Sequence, residues 1–219
     1  MGITISVNHS AEAAAVGFYF QTFYALQTII SHPDDYATVC LERLDDVEIQ
    51  ANGQSLLTQL KHSMSGTPKP ITLASSALWR TLRAWIDVLP SLDINQTDFQ
   101  LVTVAPLGKS THLSTLLDEG TDRSTLHNAL IEEAQRAIKE HQAAKSGLSP
   151  PPHANRVSDC EVFLKLDETT RRSLLARMRI FPSQTNITGI EDKIASMLVN
   201  FPPDKRKAIA KRLLQWWDL

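Results

Sequence analysis

Cysteine is scarce: Cys40 and Cys160 are the only two in 219 residues, and they lie far apart in the chain. That excludes a disulfide framework and any metal site built on paired thiols, and two isolated thiols suit a reducing compartment. No apolar run approaches the roughly 18–20 residues that a membrane span needs. The start, MGITISVNHSAEAAAVG, lacks the basic stretch and apolar core of a secretory signal. The expectation is therefore a cytoplasmic protein with no membrane partner. Eight glycines and eleven prolines are too few for a fibrous or low-complexity chain. Nor is positive charge in excess, since 22 Lys and Arg face 24 Asp and Glu for a net charge of −2. Such a balance argues against a protein that coats nucleic acid, while leaving room for a local basic surface.

What is present reads as an ordinary globular chain, 42% hydrophobic and 21% charged. Residues 12–30 are rich in alanine and large apolar side chains and predict a buried helix ending before His32-Pro33. Residues 36–49 and 55–62 predict two strands joined at Asn52-Gly53, the strongest short hairpin signal. Residues 65–70 read as a loop, 72–89 as an amphipathic helix carrying Trp79 and Trp85, and 99–107 as a buried strand. Residues 125–145 predict a polar-faced helix, 146–155 (SGLSPPPHAN) a linker, and 167–177, 189–199 and 203–217 short helices. Arg179-Ile180-Phe181 is a candidate short strand. The four tryptophans read as packing residues, and the histidines show no metal-ligand spacing. The order of elements points to an α/β fold with a mixed sheet. The organisation expected is a core over 1–145, a linker over 146–155 and a mainly helical extension over 156–219. The region 161–219 holds 11 Lys and Arg against 7 Asp and Glu, so that extension is mildly basic.

The chemistry concentrates in the hairpin. With Asn52-Gly53 as a two-residue loop, Ala51 pairs with Gln54, Ile49 with Leu56 and Val47 with Thr58, and Asp46 falls opposite Gln59. Side chains alternate between faces, so Glu42, Leu44, Asp46 and Glu48 share one face with Leu57, Gln59 and Lys61. Opposed side chains have Cβ atoms roughly 4.5–5.5 Å apart. An acid, an amide oxygen and an ammonium thus converge at one end. That set suits phosphodiester hydrolysis, in which a hard divalent cation held by oxygen ligands neutralises charge on the phosphate. Asp46 is the anchoring ligand in this reading, with Gln59 and the backbone carbonyl of Leu60 as neutral oxygen donors. Lys61 serves the attacking water and the phosphate, and Glu42 a second ion or a water. Glu48 reads as a surface residue beyond the site, and His62 as a structural residue on the opposite face from Lys61. Because Asp45 and Asp46 are adjacent, a one-residue shift of register exchanges which of them is the ligand.

The run LERLDDVEI, a short turn and then TQLKH resembles the catalytic hairpin of PD-(D/E)xK nucleases in its Gln-x-Lys variant. The upstream GFYFQTFYAL, with Gly17, Tyr19 and Gln21, is similar to the first helix of one branch of that superfamily. That branch includes the N-terminal double-stranded-DNA endonuclease domains of bacterial anti-phage effectors, such as those of cyclic-oligonucleotide signalling systems. The resemblance implies a restriction-endonuclease-like core with a mixed central sheet flanked by helices, and a helical C-terminal extension. It implies Mg²⁺ or Mn²⁺ as cofactor and double-stranded DNA as substrate, with Asp46 as the motif's acid, Gln59 its second ligand, Lys61 its lysine and Gln21 a helix position facing the site. It further implies that the chain is the N-terminal effector part of a longer protein, with a C-terminal sensor or oligomerisation domain and self-association for activity. Two other readings stand beside it: a catalytically silent nucleic-acid-binding or scaffold module of the same fold, and an RNA-directed nuclease.

Overall fold

The computed structural model describes residues 9–63, 67–109, 111–144, 151–184 and 187–217. Parts of the loop expected over 65–70 and of the linker expected over 146–155 therefore lie outside the described residues. A five-stranded mixed sheet in the order β1-β2-β3-β4-β5 forms the middle layer: β1 (Thr38–Leu41), β2 (Val47–Ala51), β3 (Gln54–Lys61), β4 (Thr97–Thr103) and β5 (Met178–Phe181). The first three strands pair antiparallel, and β3, β4 and β5 run parallel. This is an α/β fold.

Helices cover both faces of the sheet. On one lie α1 (His9–Ser31), α7 (Ile190–Met197) and α8 (Pro203–Trp217), whose Phe20, Leu26, Ile190, Ile194 and Ala210 pack with Val47, Ile49, Leu60 and Val102. On the other lie α2 (Ser76–Val88), the short α3 (Thr111–Ser114), α4 (Ser124–Ala144), α5 (Val157–Lys165) and α6 (Glu168–Ala176). Their Trp79, Trp85, Leu126, Leu130 and Phe163 close over Leu57, Phe99, Leu101, Met178 and Ile180. The period-2 alternation of β3 and β4 is what divides these two cores: Leu57, Phe99 and Leu101 face α2, whereas Leu60 and Val102 face α1. Gln59 and Lys61 share the parity of Leu57 and so sit on the α2 side.

The Asn-Gly turn forms as its chemistry requires. Asn52 and Gly53 both have positive φ, 53° and 76°, and the ladder pairs Ala51 with Gln54, Ile49 with Leu56 and Val47 with Thr58. Upstream, the single strand expected over 36–49 is instead two strands. Leu41 pairs with Val47, and residues 42–46 form a bend closed by the Glu42 N–H donating to the Asp46 carbonyl at 3.3 Å. Glu42 has φ 52° there, a conformation that favours glycine. Glu42 and Leu44 are thus loop residues, and the strand alternation that put them on the face of Gln59 does not apply.

The C-terminal region contributes more than helices. β5 adds a parallel strand to β4, and α5, which has no counterpart in the elements expected from sequence, buries Cys160 and Phe163 in the larger core. Residues 151–155 dock on α4, where Pro152 accepts from His141 at 2.8 Å and His153 meets Glu140 at 2.7 Å. No helix among the described residues is long and apolar enough to cross a membrane.

Because Gly53 holds a left-handed backbone with open space around it, Gly53→Ala is expected to lower stability by about 1 kcal/mol without altering the hairpin register. Chemical denaturation reads this out; an unshifted midpoint contradicts the turn geometry.

Candidate active site

The ladder between β2 and β3 stops at Val47 and Thr58, which leaves Asp46 just outside it and frees the β2-side edge of β3 beyond Thr58. The Asp46 carboxylate fills this gap: Oδ2 accepts the N–H of Leu60 at 2.7 Å. Within a strand the N–H and C=O of one residue point to the same edge, so the Leu60 carbonyl also faces Asp46. The Lys61 carbonyl faces the other way and accepts from Val104 at 3.2 Å.

Gln59 is held at both ends of its amide. Its Nε2 donates to Asp45 Oδ1 at 2.6 Å, and its Oε1 accepts from Lys61 Nζ at 2.6 Å. A donor at one end and an acceptor at the other fix which way the amide faces. Asp45 is fixed in turn: Oδ1 also accepts the N–H of Asp46 at 2.9 Å, and Oδ2 accepts Trp85 Nε1 at 2.6 Å. Asp45 and Gln59 are each 8% exposed and Trp85 is fully buried, so the chain from Trp85 to Lys61 runs through low dielectric. Thus the bend exchanges the expected roles of the adjacent acids toward Gln59. Asp45 is the one that binds its amide, while Asp46 holds the open edge of β3.

The electrostatics are crowded. Burial pushes the Asp45 carboxyl up to about 6, against the pull of Trp85, the Asp46 N–H and Gln59. Burial also raises Asp46; the Leu60 N–H and Lys61 pull it back, while the charge of Glu42 pushes it up. Lys61 is held below the ordinary lysine range, first by burial and last by Arg80, with Asp46 and Asp45 opposing. A strained Glu42 within electrostatic reach of a half-buried Asp46 is an arrangement of like charges that a cation relieves. The donors suit a hard divalent ion: a carboxylate from Asp46, the remaining lone pair of Gln59 Oε1 and the Leu60 carbonyl. Among the described residues no cluster of three or more His, Cys, Asp and Glu forms a metal group, so any such ion relies on these neutral oxygens.

The remaining candidates fall elsewhere. Gln21 lies on α1, which packs on the other face of the sheet from α2, and its buried Oε1 has no hydrogen-bond partner among the described residues. One turn earlier, Gly17 abuts His62: a Cβ there would stand 3.3 Å from the imidazole. His62 packs against Phe20 with ring centroids 6.0 Å apart, as expected of a structural residue. Glu48 is a correction, because it is fully buried rather than on the surface. It receives Arg43 and the amide of Gln50, at 2.9 Å, so that its charge is paired. Sequence reasoning missed Trp85 and Arg80. A buried tryptophan needs an acceptor for its N–H, which is the signal that could have found Trp85; nothing in the sequence marked Arg80.

The folded-state pKa of Asp45 lies above the ordinary value, so its protonated form favours the fold. That contribution is complete below about pH 4 and is lost as pH rises through 6. Protonation at Oδ2 would turn an acceptor against the Trp85 N–H. Tryptophan fluorescence is therefore expected to titrate with a midpoint near pH 6, and the transition to vanish in both Asp45→Asn and Trp85→Phe. An unchanged transition in Trp85→Phe would assign the signal to another tryptophan.

No family model matches the chain, and no curated protein matches it. Among solved structures it is similar to a Cap4 SAVED/CARF-domain containing receptor of Moraxella osloensis, with 14% sequence identity and a TM-score of 0.50. The match covers 94% of this chain and 43% of that one, so this chain spans less than half of the receptor's length. At that identity the likeness is one of fold: the chain shares its architecture with part of that receptor.

Proposed function

We propose that this chain is a metal-dependent endonuclease domain that hydrolyses phosphodiester bonds in double-stranded DNA, and that it serves as the effector of a bacterial anti-phage system. The observation that carries this reading is the convergence of Asp46, Gln59 and Lys61 at the open end of β3, with the Gln59 amide locked between Asp45 and Lys61. The resemblance of LERLDDVEI and TQLKH to a PD-(D/E)xK hairpin supports it, with Gln in place of the second acid. The fold likeness to part of a receptor suits an effector joined to a sensing remainder that assembles to act.

In this reading Asp46, Gln59 and the Leu60 carbonyl would hold Mg²⁺ or Mn²⁺, and the ion supplies positive charge at the scissile phosphate. Lys61 stands beside them with a depressed pKa, offering a hydrogen bond to a phosphate oxygen or to the attacking water. Asp45 and Trp85 keep the Gln59 oxygen aimed, and Glu42 adds an acid beside Asp46. Arg80, exposed on α2 and within electrostatic reach of Lys61, adds positive charge where a DNA strand would pass. Since Gln59 contributes no charge, the ion binds weakly until substrate phosphate completes its shell.

Nicking of supercoiled plasmid in Mg²⁺ tests the assignment. Lys61→Ala and Asp46→Ala are each expected to slow cleavage by roughly 100-fold or more. Equal nicking by the wild type and both variants overturns it, and cleavage of RNA but not DNA reassigns the substrate. In titrations with Mn²⁺ alone, wild-type binding is expected to be weak and to tighten when a DNA duplex is added.

A further inference from the structure

A cavity of about 320 Å³ opens at the N-terminus of α4, between the turn at 120–123 and α6. This lies at the lower end of the ~300–1,000 Å³ usual for small-molecule sites. β3, β4 and β5 run parallel, and Lys61 ends β3, whereas Arg123 donates to the carbonyl of Met178, the first residue of β5. The cavity and the candidate active site therefore occupy opposite ends of the sheet.

Its walls are built for an anion. Arg123 is 7% exposed, yet its guanidinium meets only neutral acceptors, the carbonyls of Asp118, Leu175 and Met178. Among the described residues no carboxylate pairs with it, and its Nε–H has no acceptor. Burial and the nearby Arg179 both press its pKa down, as expected of a cation without a counter-ion. His127, 3% exposed, lines the same cavity, and among the described residues its Nε2 is without a partner. Its Nδ1 lies 3.3 Å from Asn128 Oδ1, which leaves Nε2 as the ring nitrogen open to a ligand. Arg123 is the N-cap of α4, its carbonyl accepting from the His127 N–H at 2.8 Å. The N–H groups of Thr125 and Leu126 thus lack intrahelical acceptors and add the positive end of a 21-residue helix. Arg172 completes the wall. Its Nε donates to Glu168, and its terminal nitrogens make no hydrogen bond among the described residues. The acids nearby are engaged: Asp122 accepts from Ser124 N and Oγ, and Glu168, within electrostatic reach of His127, accepts from Arg172 Nε.

We propose that this cavity is a phosphoryl-binding site, taking either a free phosphate or mononucleotide or a backbone phosphate of a polynucleotide. A buried cation lacking a counter-ion, an imidazole nitrogen lacking a partner and a helix N-terminus meet there among the described residues, a set that a phosphate complements.

Isothermal titration of the full chain with inorganic phosphate, at constant ionic strength and without divalent metal, tests the proposal. Saturable 1:1 binding is expected, weakened roughly tenfold by Arg172→Gln and by His127→Leu, the factor for losing one hydrogen bond to a charged group. Lys61→Ala should leave it unchanged, which separates this site from the phosphate site of the proposed nuclease. The Arg172 side chain is half exposed, so Arg172→Gln decides the matter even if His127→Leu fails to fold. No saturable binding, binding indifferent to Arg172→Gln, or binding abolished by Lys61→Ala overturns the proposal. A repeat with a DNA duplex present identifies the source: lost phosphate binding assigns the site to a polynucleotide, and unchanged binding to a free phosphate or nucleotide.

Discussion

At the C-terminal end of β3 a single buried chain of hydrogen bonds runs from Trp85 through Asp45 and Gln59 to Lys61, and the candidate site depends on it. Each link constrains the next. Trp85 is locked in the core between α2 and the sheet, so its N–H points at one place, and Asp45 must be there to meet it. Asp45 then orients the Gln59 amide, and the amide oxygen positions the ammonium of Lys61. In low dielectric such a chain is worth having only when complete, because every member left unpaired costs about 1–3 kcal/mol or more. The anchoring indole sits on a helix rather than on the hairpin, so the site is tied to the packing of α2 as firmly as to the strand.

The mixed sheet explains why that end is open. The antiparallel ladder of β2 stops at Val47, while β3 continues three residues further, paired only with β4. An edge of unpaired backbone results, and the bend at 42–46 turns Asp46 into it. Closing the bend forces Glu42 into a left-handed backbone next to a second acid. Strain and like-charge crowding are costs that the surrounding packing must offset. The opposite end of the parallel strands carries a different imbalance, positive rather than negative, around Arg123, which has no carboxylate partner among the described residues. The two ends of the sheet therefore carry charge imbalances of opposite sign.

Much of the fold was legible because it rests on local rules. Asn52-Gly53 specifies a type of turn, the turn specifies a register, and Val47 meets Thr58 as that register requires. The apolar periodicity of α1, α2, α4, α6, α7 and α8 located each helix to within a few residues. Strict alternation failed at residues 42–46, because period 2 holds only while the chain stays extended, and five residues of bend erase the parity that linked Glu42 to Gln59. Glu48 misled for a related reason: an acid in a strand reads as exposed unless its partner is known, and Arg43 reaches it only across the bend.

By itself the sequence determined the hairpin, its pairing and the nearness of an acid, an amide and a lysine at one end, since these follow from backbone stereochemistry within some fifteen residues. The tertiary structure alone decided which of the two adjacent acids holds Gln59, since that choice is made by Trp85, forty residues away. It likewise decided that β5 joins β4 and that Arg123 is buried without a counter-ion among the described residues, facts that rest on packing between distant segments. Local propensity carries no record of such meetings, because their energy comes from burial and desolvation once the layers close.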